Sequence, residues 1–351
     1  MIANICAFLQ SMEEDHPLTE DNQKQWCADV KEAWVEQTGE SAELLYPVLK
    51  LRLAVAAAAA AAAADTGWQW LLTTTQVAQR TADWYDETVN LLTASELGEL
   101  WKGARTRAAL VLSKVPKDAP LTPRAPPKLA CTRAETGPMD WGVRYEPVVK
   151  GILEARTGQP IIELGRIRHR MLARFAASPD GLFVGEGDMA GCLIEIKCPP
   201  TRPITDAIPY GYWCQMQLQM EVCGRPQCMY VEAKFRQGDS AERADGWIAY
   251  EVNVNTDESR YVYGSSQPPV PEEHSPWTQV EVYPWELVKL RQVMVARDRS
   301  WFQGTAVPAA TAFWADVEAA RAGTWAPVLP PPRTRKQNPD SLSPRCQILE
   351  E

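Results

Sequence analysis

Residues 175–200 read FAASPDGLFVGEGDMAGCLIEIKCPP, the most informative segment of the chain. A turn signal, SPDG at 178–181, follows one apolar segment, and a second apolar segment, LIEIK, occupies 193–197. Apolar segments bounded by Pro, Asp and Gly predict neighbouring strands. Because side chains alternate along a strand, Glu195 and Lys197 are expected on one face, with the intervening isoleucines facing the core.

Two carboxylates and an ammonium are thereby expected to meet at one point. Asp180 lies in the turn and Glu195 on the next strand, so their carboxylates can converge. Hard divalent cations such as Mg²⁺ prefer oxygen ligands, commonly two carboxylates with waters and a substrate phosphate. The ammonium of Lys197 beside such an ion can orient and help deprotonate a water. These are the parts that hydrolysis of a phosphodiester needs.

The flanking sequence alternates between helical and extended patterns, which predicts an α/β fold with a mixed central sheet flanked by helices. Helices are expected from Trp141 to about Arg156, where Thr157 and Gly158 end the pattern, and from about Tyr212 to Val222. The expected strands cover residues 161–164, 172–176, 193–197, 227–235 and 247–254.

Four parts of the chain are predicted. Residues 1–75 form a mostly helical N-terminal region with a polyalanine helix, residues 76–260 the core, residues 261–329 a C-terminal helical extension, and residues 330–351 a disordered tail. In the core, one helix is expected around residues 81–91 and another from Ser95, as N-cap, to about Leu112. A further helix is expected from about Trp285 to Trp301. Alanine is too weakly apolar to drive insertion, so the polyalanine helix is expected not to span a membrane.

Charge and cysteine content restrict the class of protein. The 351 residues include 36 Lys and Arg against 45 Asp and Glu, a formal charge of −9, which excludes a histone-like basic surface. Between residues 101 and 134, however, the chain has eight basic residues and only one acidic residue. This segment is either a solvated surface or a surface that binds a polyanion. Nine cysteines without CxxC spacing, and a start without a signal peptide, predict an intracellular protein with reduced thiols.

The order of motifs resembles a known family. Asp180 followed by Glu195-Ile196-Lys197 resembles the PD-(D/E)XK nuclease signature, and the wider ASPDGL and EIKCP segments resemble the lambda-exonuclease and YqaJ-type viral recombinase branch. Three further segments, across roughly residues 76–235, are similar to that branch: Trp84–Ser95, Gly142–Glu146 and Gln215–Gln217. The resemblance implies a restriction-endonuclease-like core.

The resemblance also implies a set of metal-site residues. Asp180 and Glu195 would bind Mg²⁺, or Mn²⁺ in its place, with help from the backbone carbonyl of Ile196. Lys197 would assist the attacking water. Glu146 would support a second metal or the water.

Substrate contacts are implied at two more positions. Gln217 would position the substrate or Lys197, and Ser95, at a helix N-terminus, would hold a terminal 5′ phosphate. The family often has an arginine seven residues before that serine, where this chain has Thr88. Arg105 or Arg107 is a candidate to replace it.

By resemblance, the expected activity is a metal-dependent exonuclease that degrades duplex DNA from a 5′ end, in viral or phage-type recombination, replication or DNA processing. A single-strand annealing protein and further copies of the chain are the expected partners, in the host nucleus or cytoplasm if the source is viral. Two alternatives stay open: an endonuclease or RNase that uses the same site, and a catalytically inactive DNA-binding scaffold.

Three other features of the sequence bear on function. His169 lies in a basic turn, RIRHR at 166–170, that is either a solvated loop or a contact with the DNA backbone. The cysteines between residues 192 and 228 lack the tight spacing of iron–sulfur ligands. The tryptophans at 68, 70, 84 and 101 either stack on unpaired bases or belong to the core.

Overall fold

Two β-sheets and the helices packed on them form most of the described part of the chain. The computed structural model describes residues 5, 8–9, 11–12, 23–45, 48–49, 67–116, 137–238, 243–271, 273–327 and 329. The predicted polyalanine helix, most of the proline-rich segment after residue 116 and the predicted tail lie outside these residues.

The α-helices are α1 (Gln23–Thr38), α2 (Trp70–Thr73), α3 (Ala82–Asp86), α4 (Ala94–Leu97), α5 (Ala104–Ser113), α6 (Pro138–Thr157), α7 (Tyr210–Val222), α8 (Arg299–Trp301) and α9 (Val307–Arg321). The strands are β1 (Leu92–Thr93), β2 (Ile161–Ile162), β3 (Ile167–Arg168), β4 (Phe175–Ala177), β5 (Gly181–Phe183), β6 (Leu193–Lys197), β7 (Gln227–Gln237), β8 (Gly246–Asn253), β9 (Ser259–Gly264) and β10 (Trp277–Ala296).

The larger sheet is mixed. Its seven strands follow the order β2-β5-β6-β7-β10-β8-β9, and a smaller sheet has the order β1-β4-β3. In the larger sheet β6 and β7 pair in parallel, because α7 carries the chain back between them, whereas its other pairs are antiparallel. The predicted mixed α/β fold is therefore confirmed.

Strand β6 is covered on both faces. Ile194 and Ile196 pack with residues of α6 in one apolar cluster, and Leu193 packs with residues of α7 and α9 in another. A strand buried on both faces reads as a nearly continuous apolar run, which is how LIEIK reads. Of its two charged residues, Glu195 is therefore fully buried and Lys197 is half-buried.

Several local predictions agree with the structure. Strand β6 has the predicted bounds, and α7, β7 and β8 differ from their predicted bounds by a few residues. Helix α6 ends at Gly158, whose φ of 68° is the left-handed conformation that glycine adopts without steric cost. Capping residues and turns are local signals, which explains why these ends could be predicted.

The predicted helix from Trp285 to Trp301 is wrong. This segment is the second half of β10, which pairs with β7 from Trp285 to Ala296, while its first half pairs with β8. Partners along the whole strand satisfy the backbone hydrogen bonds that a helix would otherwise supply. Helical structure begins only at Arg299, after the Asp298 N-cap, and continues in α9, which the sequence reading missed. Strand β10 also lies in the core sheet, so the sheet crosses the boundary predicted at residue 260.

The predicted helix from Ser95 to Leu112 is three separate elements. Thr93, not Ser95, is the N-cap of α4, because the Glu96 carboxylate accepts a hydrogen bond from the Thr93 backbone N–H at 3.0 Å and one from its hydroxyl. A 3₁₀ turn, Gly98–Trp101, follows. Gly103, with φ 117°, then separates this turn from α5.

His169 is a buried residue that organises its turn. Its Nδ1 atom accepts hydrogen bonds from the backbone N–H groups of Met171 at 3.1 Å and Leu172 at 3.0 Å, and its ring lies parallel to that of Phe302. Burial lowers the pKa of His169 to about 4. The structure therefore supports neither a solvated loop nor an exposed contact at this side chain.

The basic run contributes to internal ion pairs where it is described. Lys102 pairs with Glu99, Arg107 with Asp316, and the buried Lys114 with Glu96. The run's four remaining members past residue 116 lie outside the described residues. None of the helices in the described ranges is long and apolar enough to cross a membrane.

A close backbone approach between the Gly98 turn and α7 gives a stability prediction. A Cβ atom at Gly98 would lie 2.7 Å from the Gly211 Cα atom, so Gly98→Ala must push the two elements apart. We expect urea denaturation to show a loss of about 1–3 kcal/mol. Gly151→Ala on α6 is the matched control, because its Cβ meets nothing within 4 Å. This change should raise the unfolding free energy by at most about 1 kcal/mol, since alanine has the higher helix propensity. Equal effects of the two changes would contradict the packing described here.

The buried His169 predicts a pH dependence of stability. Its pKa of about 4 in the folded chain is below the ordinary value of 6.5, so on acidification the unfolded chain takes up this proton first. The contribution of the neutral His169 to the unfolding free energy is fully present above pH 6.5. It is lost as the pH falls from there to about 4, by roughly 3 kcal/mol in total. His169→Asn keeps an acceptor but does not titrate. Urea titrations at several pH values should therefore show a shallower acid loss in the variant, and parallel curves would refute the assignment.

Candidate active site

The Asp180 carboxylate is fixed at the edge of β6. Asp180 directly precedes β5, and its backbone N–H donates to the Ile194 carbonyl at 3.2 Å. Its Oδ2 atom accepts a hydrogen bond from the Ile196 backbone N–H at 2.7 Å. The Asp180 side chain therefore replaces the backbone carbonyl that would otherwise accept the Ile196 N–H, at the point where the pairing of β5 with β6 ends.

The same geometry orients a backbone oxygen. The N–H and C=O groups of one strand residue point toward the same neighbour. Because the Ile196 N–H points to Asp180, the Ile196 carbonyl faces that side as well. Two of the three oxygen ligands that the resemblance implies, the Asp180 carboxylate and the Ile196 carbonyl, are thus on the same side of β6.

Glu195 and Lys197 lie on one face of β6, with the two isoleucines on the other face, and their side chains contact each other. Glu195 is fully buried, its Oε2 accepts a hydrogen bond from Gln219 Nε2 at 2.6 Å, and its Oε1 forms an ion pair with Lys197 Nζ. Oε1 has no other partner among the described residues. The Lys197 ammonium also lies 4.9 Å from the centre of the Tyr212 ring.

The carboxyl groups of the cluster, from Asp180, Glu195 and Glu146, outnumber the Lys197 ammonium. Burial raises the pKa of Asp180 well above its ordinary value, and the carboxylates of Glu195 and Glu146 raise it further. Burial lowers the pKa of Lys197, but Glu195 and Asp180 outweigh this and raise it above its ordinary value. The electrostatic balance of the site therefore favours an additional cation.

Glu146 lies beside this cluster but has cationic partners of its own. On α6, its Oε1 accepts a hydrogen bond from Lys150 Nζ at 2.7 Å, and its Oε2 pairs with Arg80 Nη2 at 3.3 Å. Lys150 also contacts Glu163 at 2.9 Å. A cavity of about 270 Å³ opens here, lined by Ala78, Gln79, Arg80, Glu146, Glu163, Leu164 and Gly165.

The structure places Gln217 away from the carboxylates. Its Nε2 donates to the Ala296 carbonyl at 2.9 Å and its Oε1 accepts from the Asp298 N–H at 2.6 Å, so it supports the end of β10. Gln219 is the glutamine that reaches Glu195, a residue that the sequence reading missed. Positions two apart on a helix do not share a face. Gln219 instead shares a face with Tyr212, seven positions earlier, and this spacing was the available signal.

Ser95 is exposed in the first turn of α4, with its hydroxyl 3.3 Å from that of Thr93. Helix α4 packs on α7, the helix that also carries Tyr212 and Gln219. Of the two arginines considered as replacements for the family arginine, Arg107 is engaged with Asp316, and Arg105 is exposed.

The donor atoms fit a hard divalent cation. Asp180, Glu195 and the Ile196 carbonyl offer oxygen only, which suits Mg²⁺ or Mn²⁺ rather than softer metals. Among the described residues, no three His, Cys, Asp or Glu side chains are spaced to enclose an ion. Mg²⁺ sites commonly have one or two carboxylates and are completed by waters and substrate phosphates.

The chain is similar to proteins of known family or structure. An uncharacterized protein of Acanthamoeba polyphaga mimivirus is 30% identical over 114 residues, which are 29% of this chain and only 21% of that protein. The crystal structure of an alkaline exonuclease from Laribacter hongkongensis has a TM-score of 0.40 and 22% identity, covering 69% of this chain and 95% of that one. The same exonuclease in complex with dAMP matches equally well.

A similarity to a family comes from a sequence profile rather than from these structures. The profile described as the YqaJ-like viral recombinase domain matches residues 83–226. That range contains the Asp180 turn, β6 and α7, which together build the candidate site. Over residues 83–226, which are less than half of its length, the chain is similar to the YqaJ-like viral recombinase domain family.

Proposed function

We propose that this chain is a divalent-metal-dependent nuclease that hydrolyses phosphodiester bonds in DNA. The observation that carries the proposal is the meeting of two carboxylates and one ammonium, from Asp180, Glu195 and Lys197, at the edge of β6. A structural role alone does not explain burying this excess of negative charge, because an apolar strand would be more stable there.

The protein side of the reaction follows from the contacts. Asp180 and Glu195, with the Ile196 carbonyl, would hold Mg²⁺ or Mn²⁺. When bound, the ion would polarise the scissile phosphate and lower the pKa of a water. The Lys197 ammonium, which already lies beside Glu195, would orient that water and balance charge that builds up on the phosphorus centre.

Three further residues complete the proposal. Gln219 would hold Glu195 in place, the positioning role that the sequence reading gave to Gln217. Glu146 would support a second metal or the water, and Ser95 would contact a terminal phosphate. The assignment of Glu146 is supported by the resemblance and by its effect on the pKa of Asp180. The assignment of Ser95 is supported by the resemblance and by its exposed position in the first turn of α4.

The finer features of the proposed activity depend on the resemblance. They are attack from a 5′ end of duplex DNA, a single-strand annealing protein as partner, and self-association. A duplex labelled at its 5′ end, compared with a closed circle, tests the first of them. Release of labelled nucleotide from the linear duplex is expected, and rapid cutting of the circle would instead establish an endonuclease.

The central prediction concerns the charged residues of β6. Glu195→Gln and Lys197→Met should each lower Mg²⁺-dependent digestion of linear duplex at least about a hundredfold, because each removes a group that acts on developing charge. EDTA should abolish digestion by the unaltered chain. Glu251→Gln is the matched control, since Glu251 is also a buried strand glutamate that pairs with a basic residue, Arg260. Equal activity of the Glu195 and Glu251 variants would refute the site.

A second prediction separates the two glutamines of α7. Gln219→Leu should raise the Mg²⁺ concentration for half-maximal activity or lower kcat by about tenfold or more, because partners that hold a metal ligand have effects of this size. Gln217→Leu should leave both values unchanged but lower the unfolding free energy by about 1–3 kcal/mol, since it removes the side-chain partner of two part-buried backbone groups, the Ala296 carbonyl and the Asp298 N–H. The reverse pattern would restore the role first predicted for Gln217.

A further inference from the structure

Arg80 adopts a backbone conformation that is unusual for its side chain. Its φ of 66° lies in the left-handed region, and within the described ranges only Asp257 and His274 share this among residues other than glycine. Such a conformation is strained and persists only where the surroundings impose it. It is frequent at ligand-binding sites.

The surroundings of Arg80 do impose it. The adjacent Gln79 side chain donates to the Leu164 carbonyl at 2.8 Å and to the Pro179 carbonyl at 3.3 Å, directly before Asp180. Earlier in the segment, Val77 forms a backbone bridge with Arg166. The segment is therefore fastened to the turn that carries the catalytic carboxylate, and it presents Arg80 at a fixed position.

The guanidinium of Arg80 is the more replaceable of the two partners of Glu146. The Arg80 side chain is 46% exposed and lies 3.3 Å from Glu146, whereas the Lys150 side chain is 10% exposed and lies 2.7 Å from it. If Arg80 moves away, Lys150 remains as a counter-ion of Glu146. Arg80 can therefore leave Glu146 without exposing an uncompensated buried charge.

We propose that Arg80 binds a phosphate of the DNA strand in the 270 Å³ cavity that it lines together with Glu146. The carboxylates of Glu146, Asp180 and Glu195 repel a polyanion, so a strand that approaches them needs a cation at this edge. A guanidinium suits this role because its planar fork matches two phosphate oxygens. The inference rests on the proposed nuclease function, and Arg80 lies outside the family match at residues 83–226.

The test compares two variants of Arg80 with one matched control. Arg80→Asn removes the charge but keeps a residue that tolerates positive φ, whereas Arg80→Lys keeps the charge without the fork. Arg236→Gln is the control, because Arg236 is also an exposed arginine that pairs with a glutamate, Glu286. Binding of a short fluorescent duplex is measured in EDTA at several salt concentrations, together with the thermal midpoint of each protein.

A phosphate contact predicts a specific pattern. Arg80→Asn should bind about tenfold more weakly, and the slope of log affinity against log salt should become shallower by about one. Arg80→Lys should keep the slope, and Arg236→Gln should keep both affinity and slope. If Arg80→Asn lowers the thermal midpoint, binding is compared at a temperature well below both midpoints, and an affinity and slope equal to those of the unaltered protein would overturn the proposal.

The outcome for Arg80 is distinguishable from the outcome for the nuclease. Unaltered protein that binds the duplex but never cuts it with Mg²⁺ would contradict the proposed function, and the binding slopes would still decide on Arg80. Unaltered protein that cuts, with an Arg80→Asn variant of equal affinity, slope and KM, would overturn the Arg80 contact alone.

Discussion

The hydrogen bond from the Ile196 N–H to the Asp180 carboxylate, at 2.7 Å, is the constraint on which the site depends. Strand β5 begins at Gly181, so this N–H of β6 has no backbone partner there, and a buried N–H without a partner is costly. The Asp180 side chain supplies the missing acceptor. It is thereby held next to Glu195, where two carboxylates raise each other's affinity for positive charge. A requirement of the sheet thus fixes the geometry of the site.

That geometry conflicts with what the fold alone would favour. Strand β6 is covered by helices on both faces, and at such a position apolar side chains give the more stable structure. Glu195 is nevertheless fully buried, with Gln219 and Lys197 as partners. Buried groups that are only partly compensated concentrate at functional sites, where the loss of stability is retained because the charge is used.

Local signals made most of the fold predictable, and distant contacts account for the errors. The turn before β5 and the glycine after α6 act within a few residues, so their consequences could be read from the sequence. Strand β10 has partners far along the chain, and its apolar spacing does not distinguish helix from strand. His169 is buried partly by Phe302, which its own neighbours do not indicate. The choice between Gln217 and Gln219 needed the rotation of α7, which the motif alone does not contain.

Under the proposed function, the charges around the site would link metal binding to DNA binding. The chain is acidic overall, at −9, so attraction at long range does not bring a polyanion to it. Two cations of the described site are held by carboxylates: Lys197 by Glu195, and Arg80 by Glu146. A divalent cation on the carboxylates would release positive charge toward a phosphate, and a bound phosphate would occupy Arg80 and leave Glu146 more negative. Each ligand then supplies the charge that the other needs, and because such coupling is reciprocal, metal should tighten DNA binding by the same factor by which DNA tightens metal binding.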